Sequence, residues 1–186
     1  MLITPAQRYD TLSRSHHWLM AAITVASWAL IRVKGWFPKG SEGRESVSSL
    51  HEQLGIALLL LLALRLPWRW SHPASPVETP APAWTQAPAL LAKIALYALM
   101  FALPLFGIAA LQAHGESVTF LGFTLPDLFK SFASRDRTVK EIHEWMGDAI
   151  MVVAGLHAAA ALWHHFMLRD GTLLRMLGQR KASRPE

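Results

Sequence analysis

His143 and His157 stand fourteen residues apart in the apolar run between Lys140 and Arg169. Fourteen residues of α-helix make close to four turns, so both imidazoles leave one face, separated by roughly 21 Å along the axis. The run is long enough to cross a bilayer, for which roughly 20 residues suffice. An ionisable ring within hydrocarbon costs free energy unless it finds a partner, which makes each ring a functional candidate. Two rings in register at opposite membrane levels suit one axial ligand for each of two stacked haems. The partner ligands must then come from other helices.

The elements that would position them are four apolar segments, approximately residues 16–37, 51–70, 89–112 and 141–167. Their lengths predict an all-α integral membrane protein, a four-transmembrane-helix bundle running in, out, in, out. In that order His143 lies at the outer end of span four, and His51 opens span two from the same side. His157 lies towards the inner end, where His17 enters span one. The expected pairs are His51 with His143 and His17 with His157.

Nine histidines compete for these places, and the residue one turn further on sorts them. It is Ala21 after His17, Gly55 after His51, Gly147 after His143 and Ala161 after His157, each small enough to leave room for a porphyrin edge. The same step from His16, His72, His114, His164 and His165 reaches Met20, Pro76, Val118, Leu168 and Arg169. His164 shares a face with His157 and stays a rival ligand. For any single ring the alternative is a hydrogen-bonded packing role. His165 reads as an inner-interface residue, and His16, His72 and His114 as solvated or interfacial. A ligating imidazole is neutral, and its second nitrogen needs an acceptor that fixes the ring.

Composition narrows the rest. The absence of cysteine excludes disulfides, thiolate metal sites and covalent haem attachment through a CxxCH motif. The net charge of +5 is not arranged as a basic stripe with interleaved aromatics, so no nucleic-acid partner is expected. With the N-terminus inside, inner segments carry ten of the 18 basic residues and outer segments eight. The basic tail 170–186 is the clearest inner marker, so both termini are expected on the cytoplasmic side. The first apolar segment reads as an uncleaved span. Residues 38–50 read as a polar connection, and Pro67 as the end of span two. Residues 71–88 read as an inner Pro-rich linker, and 113–139 as an outer loop lying at the interface or shaping an opening over the outer haem. Pro104 is expected to kink span three. Arg65 and Arg69 either snorkel to the inner surface or neutralise haem propionates.

The runs HHW, GWFPKG, HEQLGI, RLPWRW, HEWMGD and GLHAAAALWHHF, followed by DGTLLRM, resemble the bacterial cytochrome b-561 family over about residues 8–178. The resemblance implies a multi-pass cytochrome of the bacterial inner membrane with two non-covalent haem b groups. Carried onto this chain, its motif histidines are His17, His51, His143 and His157. It further implies a superoxide:ubiquinone oxidoreductase, with superoxide and ubiquinone as partners beside the lipid bilayer and no protein partner required. Lys34, Lys39, Arg44, Arg135 and Arg137 would then draw the anion locally, or are ordinary loop charge. Trp68, Arg69 and Trp163, or the outer loop, are candidate walls for the quinone. An electron-relay subunit between quinol and a dehydrogenase or hydrogenase is the second reading. A histidine-lined transporter or metal bundle without haem is the third.

Overall fold

The computed structural model describes residues 9–73 and 82–177. Helix α1 covers Thr11–Val33 and runs into a 3-10 turn at Lys34–Trp36; α2 covers Glu42–Ser71, α3 Ala83–Ala113 and α4 Asp136–Trp163. A two-stranded hairpin, β1 at Thr119–Phe120 and β2 at Phe123–Thr124, precedes a 3-10 turn at Lys130–Arg135. After α4, a π-helical turn at His164–Leu168 leads into the short α5, Thr172–Leu177. Four of these helical stretches are long and apolar enough to cross a membrane, and the protein is a helical membrane bundle.

The helices begin where their caps allow. Asp10 accepts from Ser13 N at 2.8 Å and starts α1, while Ser41 accepts from Arg44 N at 3.3 Å and starts α2. Glu42 and Glu45 fall in the first turn of α2, where carboxylates favour the helix dipole. The connection expected over 38–50 is therefore helical from residue 42 onward, and α2 begins well before its apolar stretch. Gly43 permits this tight entry, since a Cβ there would meet the Phe37 ring at 2.7 Å. Nor does Pro67 end α2, which continues to Ser71. A proline removes one helical hydrogen bond without forbidding the next turn. The Pro-rich linker expected over 71–88 is helical from Ala83, its centre and the chain after Leu177 lying outside the described residues.

Helix α1 packs on α2, α2 on α3, and α3 on α4. Met20, Leu58 and Leu62 are buried together, with Ile23, Leu61, Tyr97 and Met100 around them. A second cluster joins Ile56 and Ile108 to Val118, with Leu111, Phe120, Leu125 and Phe129 against it. Val118, Phe120, Leu125 and Phe129 belong to the connection between α3 and α4, which folds against Ile56 of α2 and Ile108 near the end of α3. The two turn residues of its hairpin, Leu121 and Gly122, both have positive φ, as a tight two-residue turn demands. Gln53 Nε2 donates to Thr119 O at 2.6 Å, and Gln112 Nε2 donates to Pro126 O at 2.8 Å. Gln112 Oε1 in turn accepts from Phe129 N at 3.0 Å.

At the opposite end, Trp68 Nε1 donates to Asp10 Oδ1 at 3.2 Å, joining the end of α2 to the start of α1. Trp18 donates from Nε1 to the Met176 carbonyl at 3.2 Å and so ties α5 to α1. Burial raises the Asp10 pKa, but the bonds from Ser13 and Trp68 outweigh it and hold the carboxyl at about 2. A folded pKa below the unfolded value adds stability above about pH 4, which is lost as pH falls towards 2. Asp10→Ala is expected to cost about 1 kcal/mol in thermal or denaturant unfolding at neutral pH, a difference that shrinks on acidification through that window. Gln112→Ala leaves the Phe129 N–H and Pro126 C=O unpaired and is expected to cost about 1–3 kcal/mol. Faster proteolytic cleavage between residues 115 and 135 is the corresponding readout.

Candidate functional site

Helix α4 presents His143 and His157 on one face, and α2 and α1 bring one ring to each. His51 faces His143 with ring centroids 6.0 Å apart and planes at 87°. His17 faces His157 at 6.4 Å and 67°. Two imidazoles bound to one metal through nitrogen lie about 6.2 Å apart between centroids, taking about 2 Å per bond and about 1.1 Å from nitrogen to ring centre. Edge-to-face packing of aromatic rings falls in the same range, so the space beside the rings has to decide. Gly55 and Gly147 are half-buried, yet a Cβ added to either would meet nothing within 4 Å. Open room one turn from each ring, within the bundle, fits a flat cofactor edge better than two rings packed for their own sake.

The nitrogens carry further information. His51 Nδ1–H donates to the Ser27 carbonyl at 2.9 Å, with Ser27 Oγ beside it at 3.0 Å. His143 Nδ1–H donates to the Leu103 carbonyl at 3.0 Å. Each bond fixes the tautomer and leaves Nε2 with a free lone pair, the form an axial ligand requires. Gly107 lets the His143 ring lie against α3, since a Cβ there would stand 3.0 Å from His143 Cε1 and 3.4 Å from Nδ1. Ser27 and Leu103 were not singled out from the sequence, since a backbone carbonyl carries no side-chain signal, whereas Gly107, near Pro104 in span three, reads from the sequence as permitting close packing. His17 and His157 make no comparable hydrogen bond among the described residues.

The rival His164 has no histidine ring facing it among the described residues, and its Nδ1 lies 2.5 Å from Asp170 Oδ2. Asp170 Oδ1 accepts from Thr172 N at 2.9 Å, so this carboxylate also starts α5. Burial raises the Asp170 pKa, and the bonds from His164 and Thr172 bring it below the usual carboxylate range. Of the other histidines, His72 stacks on Trp68 at 3.9 Å and His114 Nδ1 lies 3.3 Å from Asp136. His165 packs edge-on to Phe166, and His16, expected to be solvated or interfacial, buries an Nδ1 that has no partner. Among the described residues no cluster of three or more His, Asp or Glu could hold a bare metal ion.

The Arg65 side chain is buried, donating from Nη1 to Ser13 O at 3.1 Å and from Nε to Tyr97 Oη at 3.2 Å. Arg69 lies over the Tyr9 ring at 4.8 Å, and Arg175 lies 5.1 Å from the same ring. On the other side of the molecule Arg32 pairs with Asp148, which also accepts from Trp28 Nε1 at 3.2 Å. Of the bases considered for drawing in an anion, Arg137 pairs with Glu141 and Arg44 donates to the carbonyls of Lys34 and Phe37.

Apolar helices with imidazoles facing each other across their interior define the class of membrane cytochromes. The chain belongs to the prokaryotic cytochrome b561 family, whose model matches residues 8–179. It is 37% identical over 168 residues to "Cytochrome b561 homolog 1" of Escherichia coli strain K12, covering 89% of this chain and 94% of that protein. It is 30% identical over 176 residues to "Probable superoxide oxidase CybB" of Yersinia pestis, covering 95% and 99%. "Cytochrome b561 homolog 2" of Escherichia coli strain K12 is 31% identical over 182 residues, covering 93% of each. The protein is thus a membrane haem protein of electron transport, and its family implies b-type haem. Gly107→Val would press a branched side chain into the His143 ring; the expected outcome is a loss of bound haem, read by pyridine haemochrome assay against protein concentration.

Proposed function

We propose that the protein is a dihaem b-type cytochrome that oxidises superoxide at the outer face of the bacterial inner membrane and passes the electrons to ubiquinone. The observation that carries the dihaem reading is the pairing of His51 with His143 and His17 with His157 at spacings that suit one metal each. Bound b-type haem supplies one-electron redox chemistry at each level. The chain's own part is to hold four imidazoles as neutral ligands, orient two of them through the Ser27 and Leu103 carbonyls, and keep both levels on one rigid helix. Two superoxide anions give up one electron each and leave as dioxygen; ubiquinone takes both electrons and two protons to become ubiquinol. The substrate pair is supported by the relative from Yersinia pestis, whose name is that of a probable superoxide oxidase. The orientation, with both termini inside, is supported by the greater number of basic residues on that side.

Purified, oxidised holoprotein mixed with superoxide in a stopped-flow instrument is expected to give a reduced b-type spectrum rapidly and to reoxidise when ubiquinone follows. Two haems that stay oxidised in superoxide but are reduced by quinol would replace this reading with an electron-relay cytochrome. His143→Ala is expected to leave one haem of two, and His17→Ala the other, by haem-to-protein ratio. Full retention of both haems in either variant would defeat the ligand assignment.

A further inference from the structure

We propose that Arg65 binds a carboxylate of the haem held between His17 and His157, and that its charge makes this haem the easier of the two to reduce. The proposal rests on the dihaem reading above. Arg65 follows His51 by fourteen residues on α2, the same interval that separates His143 from His157 on α4. Where α4 carries its second imidazole, α2 therefore carries a guanidinium, on the face that His51 shares and at the level of the His17/His157 pair. Ser13, whose carbonyl holds Arg65, lies one turn before His17 on α1.

Arg65 is 7% exposed, and both of its protein partners, the Ser13 carbonyl and the Tyr97 hydroxyl, are neutral. No carboxylate pairs with it among the described residues. A guanidinium taken out of water needs an anion to offset its desolvation, and its planar fork suits a carboxylate above other groups. Arg69 is differently placed, lying over Tyr9 near the end of α2.

Two effects then act in one direction. Reduction lowers the charge at iron by one, so a nearby cation favours the reduced form. The hydrogen bonds from His51 and His143 to backbone carbonyls raise ligand basicity and favour the oxidised form at the other level. Electrons entering at the His51/His143 level would run downhill to the His17/His157 level.

The test loads full-length protein, made in membranes of haem-deficient cells, with haem b or with its dimethyl ester, in which both propionates are uncharged. His157→Ala, loaded in parallel, identifies the spectral band and midpoint of the haem beside Arg65. With haem b, Arg65→Gln is expected to lower that midpoint and to speed transfer of this haem to apomyoglobin about tenfold. Arg65→Lys should retain most of the wild-type midpoint. With the ester, wild-type protein should release this haem as fast as Arg65→Gln releases haem b, and the substitution should add nothing further. Equal acceleration by Arg65→Gln with both haems would overturn the assignment and give the guanidinium to a lipid phosphate or free anion. Should Arg65→Gln fail to fold, equal release of haem b and its ester from wild-type protein would overturn it as well. Neither superoxide nor ubiquinone enters these measurements, so a failure here is distinct from a failure of the proposed activity.

Discussion

An imidazole inside an apolar bundle has two nitrogens to satisfy, and most of this structure follows from how that is done. Helix association in lipid gains little from the hydrophobic effect, because acyl chains are as apolar as the leucines they would replace. Polar groups within the bundle therefore specify how the helices sit. Helix α4 supplies one ring at each level, while α1 and α2 each bring an opposing ring. Helix α3 has no histidine in its apolar stretch, but it contributes the Leu103 carbonyl and the missing side chain of Gly107. Its role is to receive the back of a ring whose front faces inward.

Both ends of the bundle are closed by polar ties. At one end Asp10, Trp18, Trp68 and the backbone of α5 link chain segments far apart in sequence. At the other, Gln53 and Gln112 reach across to backbone groups of the connection between α3 and α4. Each tie satisfies groups that would otherwise face an apolar or partly buried setting unpaired. Fixed ends let the middle keep open room beside Gly55 and Gly147 without the helices closing over it.

Much of this was legible in the sequence because its periods are long and its signals redundant. The four apolar runs, the fourteen-residue interval and the small residue after each chosen histidine all bear on the same bundle. The helix ends were less legible. Residues 42–50 are polar and carry Gly and Ser, and that composition hid a capping serine followed by two glutamates. Pro67 suggested a stop, although one lost hydrogen bond is cheap inside a long helix. The fold of residues 117–129 over the bundle depends on glutamines reaching it from α2 and α3, contacts that no local pattern encodes. The commitment of His164 to Asp170 arises from a π-helical turn and a left-handed Arg169, neither of which sequence spacing specifies.

The placement of His143 and His157 on one unbroken helix also bears on how such a chain can change over time. One residue inserted between them would turn the second ring by about 100° and carry it away from its partner. A deletion would do the same in the opposite sense. Nothing short of a whole turn could be gained or lost there, and even that would alter the distance between the two levels by about 5.4 Å. The connection between α2 and α3 carries no such restriction, since none of the four facing imidazoles belongs to it. Length variation in descendants of this chain should therefore gather in the connections and be absent from residues 144–156.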